Sequence, residues 1–152
     1  VAEANIINDP DAADIVFTAN WQVTMIGLDV THQVLLDNER LARIKQANPV
    51  EGDFLMQAAQ HYINFYGETF GVEGCYFHDA STIAYVLQPE LFGLELGTVR
   101  VACEGIGIGQ TIVAPEGKFF PAKAWKNIPT SQICMEVDSE KLLQLFEDTL
   151  SS

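Results

Sequence analysis

The run VTMIGL at residues 23–28 constrains the fold most, because it is nearly all apolar, β-rich and bounded on both sides by helical periodicity. A strand of that kind is buried on both faces, which calls for helices packed over a sheet. Upstream, NDPDAADIVFTAN reads as a helix with its start signal intact. Asp9 can accept hydrogen bonds from first-turn N–H groups, Pro10 suits the first helical position, and Asp11 complements the helix dipole. Ala12, Ala13, Val16 and Phe17 form its expected apolar stripe. Downstream the strand ends at Asp29-Val30-Thr31, and HQVLLDNERLARIKQ returns to helical spacing. Helix, buried strand and helix in succession predict a mixed α/β layer architecture in one domain.

The remaining segments extend that pattern. Residues 48–71 read as a longer helix that breaks at Gly67 or Gly71. Tyr62 and Tyr66 lie four apart on one face, with Phe70 extending the row, and an aromatic core stripe is the favoured reading. A helix follows His78-Asp79, with Ile83, Ala84 and Leu87 expected inward and Pro89 limiting its length. GTVRVACE (97–104) and GQTIVAP (109–115) read as a hairpin joined by GIGI. SQICMEV (131–137) is another expected strand, and SEKLLQLFEDTL a helix with Leu142, Leu143, Phe146 and Leu150 on one side.

Eight basic against 21 acidic residues give a formal charge of −13. Such a surface repels phosphate backbones and argues against nucleic acid as a partner. No apolar run approaches the roughly 20 residues of a membrane span. The start has neither the basic flank nor the apolar stretch of a signal peptide. Cys75, Cys103 and Cys134 are odd in number and widely spaced, so a reducing cytoplasm is the expected compartment.

Two clusters bear chemistry. In Glu3-Ala4-Asn5, an extended backbone would project both polar side chains from one side. A carboxylate beside an amide suits a vicinal diol such as that of ribose, although two polar residues near a terminus need no ligand. At His78-Asp79, the imidazole titrates near neutrality and is a candidate general acid. Asp79 reads either as a helix N-cap or as one ligand of a hard cation, which collects several carboxylate oxygens. Cys75-x-x-His78 lacks the second pair that zinc requires, and GIGIG does not open a helix after a strand as a dinucleotide fingerprint does.

Taken in order, EANIINDPDAADIVF, TMIGLDVTH and FHDASTIAYVLQPELF closely resemble the C-terminal half of the inosine–uridine-type nucleoside hydrolases, from Val1 to at least Thr111. The resemblance implies the C-terminal part of a layered α/β fold with a mixed sheet over residues 1–152, its N-terminal half absent. It implies hydrolysis of the N-glycosidic bond of ribonucleosides by the complete enzyme, with this chain alone inactive. It assigns ribose hydroxyls to Glu3 and Asn5, and the leaving base to His78 as general acid with Tyr62 and Tyr66 near it. It makes Asp79 a ligand of Ca²⁺, in a site incomplete in this chain. The implied partners are a nucleoside, the missing N-terminal half and further copies of the chain. The competing reading is a stand-alone, non-catalytic acidic binding or oligomerisation module derived from the same fold.

Overall fold

The computed structural model describes residues 2–118 and 120–151, so Val1, where the resemblance begins, lies outside the described residues with Phe119 and Ser152. In chain order the elements are α1 (Ala4–Asn8), α2 (Pro10–Thr18), β1 (Thr24–Met25), α3 (Leu28–Thr31), β2 (Leu35–Leu36), α4 (Asn38–Ala47) and α5 (Pro49–Phe70). β3 (Cys75–Tyr76), α6 (His78–Leu87), β4 (Phe92–Val101), β5 (Thr111–Pro115), β6 (Ser131–Val137) and α7 (Ser139–Leu150) follow, with short 3₁₀ turns at Pro89–Leu91 and Lys123–Trp125. The chain separates into two compact units, one formed by residues up to Leu28 with Gly93–Met135, the other by Asp29–Phe92 with the residues from Glu136 onward.

The first unit holds a four-stranded sheet in the order β1-β6-β4-β5. β1 runs parallel to β6 (Thr24 opposite Gln132), and β4 runs antiparallel to β5 (Val99 opposite Val113), so the sheet is mixed as expected. Phe17, Val99, Val101 and Ile133 form its core, with Ile6, Ala13, Val23 and Met25 packed against them. The capping expected of α2 is present, since Asp9 accepts from the Ala12 N–H at 2.9 Å and Pro10 opens the helix. Only Phe17 of the expected stripe is buried, and Val16 is exposed. Asp14, on the same helix, accepts from Arg100 Nε and Nη2 at 2.7 Å each and from the Val101 N–H at 2.9 Å. Arg100 also donates to the Ala124 carbonyl, tying the 3₁₀ turn Lys123–Trp125 to β4.

In the second unit α4 packs against both α5 and α7, Val30, Val34, Leu41, Ile44, Ala59 and Leu142 are buried, and β2 and β3 add a two-stranded ladder. α4 and α5 approach so closely at Gly52 that a Cβ there would lie 2.2 Å from Lys45 Cα. Gly71, at φ 69°, ends α5 in the left-handed conformation that glycine adopts without penalty. The buried Arg40 reaches from α4 to Glu140 and Glu147 of α7, and Arg43 adds a two-pronged contact to Glu147.

Several local expectations are corrected. VTMIGL contributes only two strand residues and is half-buried rather than buried on both faces, since β1 lies at the edge of the sheet beside β6 and the chain turns into α3 at Leu28. The helical spacing from His32 is realised only from Asn38, where Asp37 accepts from the Arg40 N–H, and Leu35–Leu36 pair with β3 instead. On α6 the inward face is Ser81 and Ala84, while Ile83 and Leu87 are exposed. The Ser81 hydroxyl donates to the Phe77 carbonyl, which removes the cost of burying it. Asp79 is not the cap of α6, for Phe77 holds that position and Asp79 lies in the first turn.

Candidate active site

β3 leads directly into α6, so the strand delivers His78 as the first helical residue. Both ring nitrogens are engaged, Nδ1 with Thr31 Oγ1 at 2.8 Å and Nε2 with the Tyr66 hydroxyl at 3.0 Å. A neutral imidazole has one donor and one acceptor nitrogen, so the two hydroxyls fix its tautomer jointly; in the imidazolium both nitrogens donate and both hydroxyl oxygens accept. Thr31 is 3% exposed, which leaves its hydroxyl little choice of partner. Burial pushes the Tyr66 phenol up, with Cys75, Tyr76 and Tyr62 adding to the effect, so it remains a proton carrier at neutral pH.

Aromatic rings surround the imidazole. His32 lies 5.4 Å and Tyr76 5.9 Å from it, centroid to centroid, and the two touch each other at 4.6 Å. Tyr66 packs edge-on to Tyr76 at 5.0 Å and against Phe70 at 5.9 Å. The sequence-predicted pair is therefore brought together only in part: Tyr66 reaches His78, whereas Tyr62 is exposed with its ring against His61. Thr31, His32 and Tyr76 went unrecognised as site residues. The first two close the motif TMIGLDVTH and the third sits two residues before His78, but nothing in local spacing says that Thr31 faces a residue 47 positions away.

In the other unit, Glu3 and Asn5 do meet, but not on an extended segment. Glu3 is the N-cap of α1, and its carboxylate accepts from the N–H groups of Asn5 and Ile6 at 2.9 and 3.0 Å. Asn5 Nδ2 donates to the other oxygen at 3.2 Å. A carboxylate offers about four lone-pair sites, so the chain's own donors already take most of them. A ligand hydroxyl would have to use the remainder or displace the Asn5 amide.

Asp79 is exposed, and its backbone carbonyl accepts from Thr82 Oγ1. Among the described residues no three His, Cys, Asp or Glu side chains are grouped so that they could hold a metal ion. Ca²⁺ takes six to eight oxygens, and the described residues do not fit it by themselves.

The family model for inosine-uridine preferring nucleoside hydrolases matches residues 1–144. The chain belongs to this family. It is 32% identical to a probable uridine nucleosidase 2 of Arabidopsis thaliana, over 98% of this chain and 47% of that protein. It superposes on a plant nucleoside hydrolase with a TM-score of 0.92 at 31% identity, covering 99% of this chain and 48% of the other. A purine-preferring ribonucleoside hydrolase from Gardnerella vaginalis gives 0.84 at 35%, covering 99% and 46%. The chain thus spans about half the length of the relatives it matches. The expectation of a C-terminal half only is corrected, since the family match runs from residue 1 to residue 144, past Thr111, and the layered α/β fold of the family occupies nearly the whole chain. The readings built on that expectation, an inactive piece and a missing N-terminal partner, are withdrawn with it.

Proposed function

We propose that the chain serves the hydrolysis of the N-glycosidic bond of ribonucleosides, giving ribose and a free base, with His78 and Tyr66 acting on the leaving base. The observation that carries this reading is the hydrogen-bonded row Thr31–His78–Tyr66. When the C–N bond breaks, its electron pair goes to the base nitrogen, and a proton delivered there makes the base a better leaving group. The imidazolium gives its Nε2 proton to the Tyr66 oxygen while the phenol passes its own proton to the base. Thr31 holds Nδ1 and with it the ring orientation. Water supplies the hydroxyl to the anomeric carbon, and its second proton restores the imidazolium through solvent. Glu3 and Asn5 are the proposed contacts to ribose hydroxyls, and Asp79 a proposed cation ligand. Nucleoside hydrolase membership and relatives described as uridine nucleosidases support the substrate class. The cytoplasm is the proposed compartment: all three cysteines are free thiols, and among the described residues no helix is long and apolar enough to cross a membrane.

The test compares inosine and uridine with a nitrophenyl riboside, whose leaving group needs little proton donation. His78→Ala is expected to slow base release from the natural nucleosides by roughly two to four orders of magnitude and that of nitrophenolate far less. Equal losses on all substrates, or no base release by the unmutated protein, would overturn the reading.

A further inference from the structure

We infer that residues 116–118 and 120–130, over β4 and β5, build a second ligand site, a cavity for a small aromatic anion. The inference is independent of the proposed hydrolysis, since none of the side chains that line the cavity is among those proposed to act on the nucleoside. Thr98, Glu116, Lys118, Phe120, Trp125 and Lys126 line a cavity of about 290 Å³ over the β4–β5 ladder. That volume lies at the small end of ligand sites. Arg100, held by Asp14, fixes the Ala124 carbonyl and so secures the loop beside Trp125. Asn127, at φ 58°, turns the chain after Lys126, which returns Thr130 to the same cavity. Asparagine is among the few non-glycine residues that tolerate this conformation.

The charge pattern identifies the ligand. Lys118, Lys123 and Lys126 are three of only eight basic residues in the chain, placed within nine positions. The other five, Arg40, Arg43, Lys45, Arg100 and Lys141, each form an ion pair. Among the described residues these three lysines form none, although 21 acidic residues are present. A fold with that surplus of carboxylates has left its clustered lysines for something else. The protein's overall charge opposes any anion at long range, so attraction is confined to about one Debye length of the loop, about 8 Å at physiological salt. This selects a small anion over a polyanion.

The aromatic pair supplies the second half of the recognition. Phe120 and Trp125 lie 5.6 Å apart at 37°, already in contact with each other, so they present one wall rather than a slot. A planar ring would stack on that wall while its phosphate or carboxylate reaches the ammonium groups. Glu116 and the Thr98 hydroxyl remain for hydroxyl or amine donors of the ligand.

The experiment is calorimetric titration of the protein with adenosine 5′-monophosphate, with adenosine and inorganic phosphate as separate arms and Trp fluorescence recorded in parallel. Saturable binding of the monophosphate is expected, at least tenfold tighter than either arm, with Trp quenching. The double variant Lys118→Gln/Lys126→Gln should weaken it at least tenfold, and Trp125→Leu should weaken it as well. Both lysines are exposed, so far-UV circular dichroism should be unchanged. Base release from inosine by the lysine variant should equal that of the unmutated protein. Adenosine binding as tightly as the monophosphate, phosphate alone binding as tightly, undiminished binding by the lysine variant, or no saturation would each overturn the assignment.

Discussion

Replacing Asp14 by alanine removes three acceptor contacts at once, two from Arg100 and one from the Val101 N–H. The side chains are 15% and 26% exposed, between the surface pairs that contribute about 0–1 kcal/mol and the buried ones whose disruption costs about 3–5. A loss of about 2–3 kcal/mol follows, consistent with about 1.5–3 for a hydrogen bond to a charged group. For a chain of this size that lowers the melting temperature by roughly 4–12 °C. Asp14→Asn retains an acceptor for Val101 and should lose about half as much. The Arg100 guanidinium holds the Asp14 carboxyl below the usual carboxylate range, helped by the Val101 N–H and opposed by partial burial. A depressed folded pKa means that the stabilisation is complete above the ordinary value of about 3.9 and is lost as pH falls through the lower, folded value. Urea unfolding followed by circular dichroism at pH 7, 5 and 3 reads both effects. The gap between the protein and Asp14→Ala should be full at pH 7 and 5 and narrower at pH 3. A gap under about 0.5 kcal/mol at pH 7, the range of ordinary surface substitutions, or a gap that does not change with acid, refutes the reasoning.

Two further outcomes are expected. Gly52→Ala places a methyl group 2.2 Å from Lys45 Cα, which side-chain motion cannot relieve, so the variant should separate α4 from α5 and lose more than about 3 kcal/mol by urea unfolding. Glu147→Gln keeps the shape but removes the charge that faces Arg43 and Arg40, and about 1–3 kcal/mol should be lost. Since the Arg43 hydrogen bond keeps the Glu147 carboxyl below its ordinary range, that loss should be seen at pH 7 and shrink in acid.

Features with a local cause were legible in the sequence. The Asp9-Pro10 start of α2, the β4–β5 hairpin, β6 and the amphipathic α7 all follow from caps, turns or periodicity within a dozen residues. Features decided by distant partners were not. Hydropathy favours Ile83 and Leu87 over Ser81 as buried residues, yet the serine satisfies its hydroxyl on its own helix and goes inside. Glu3-Ala4-Asn5 reads as an extended segment, whereas the Glu3 carboxylate accepts from the Asn5 and Ile6 N–H groups and caps α1 instead. In the candidate site His78 and Tyr66 stand out one by one in the sequence, while their hydrogen bond does not. Thr31, which fixes the imidazole from the opposite side, carried no mark beyond its place at the end of a motif.

The pairing of β1 with β6 has a consequence for how the protein is made. Thr24 meets Gln132 only after 108 further residues have been added, with the segment Asp29–Phe92 of the other unit lying between them in the chain. At about 5–20 residues per second, the first strand leaves the ribosome some 5–20 seconds before its neighbour exists. Closing so long a loop adds an entropic cost that grows with the logarithm of its length. During that interval the apolar residues Val23, Met25 and Phe17 have no sheet to cover them, so α2 and β1 form the segment of the nascent chain that a chaperone has most reason to hold.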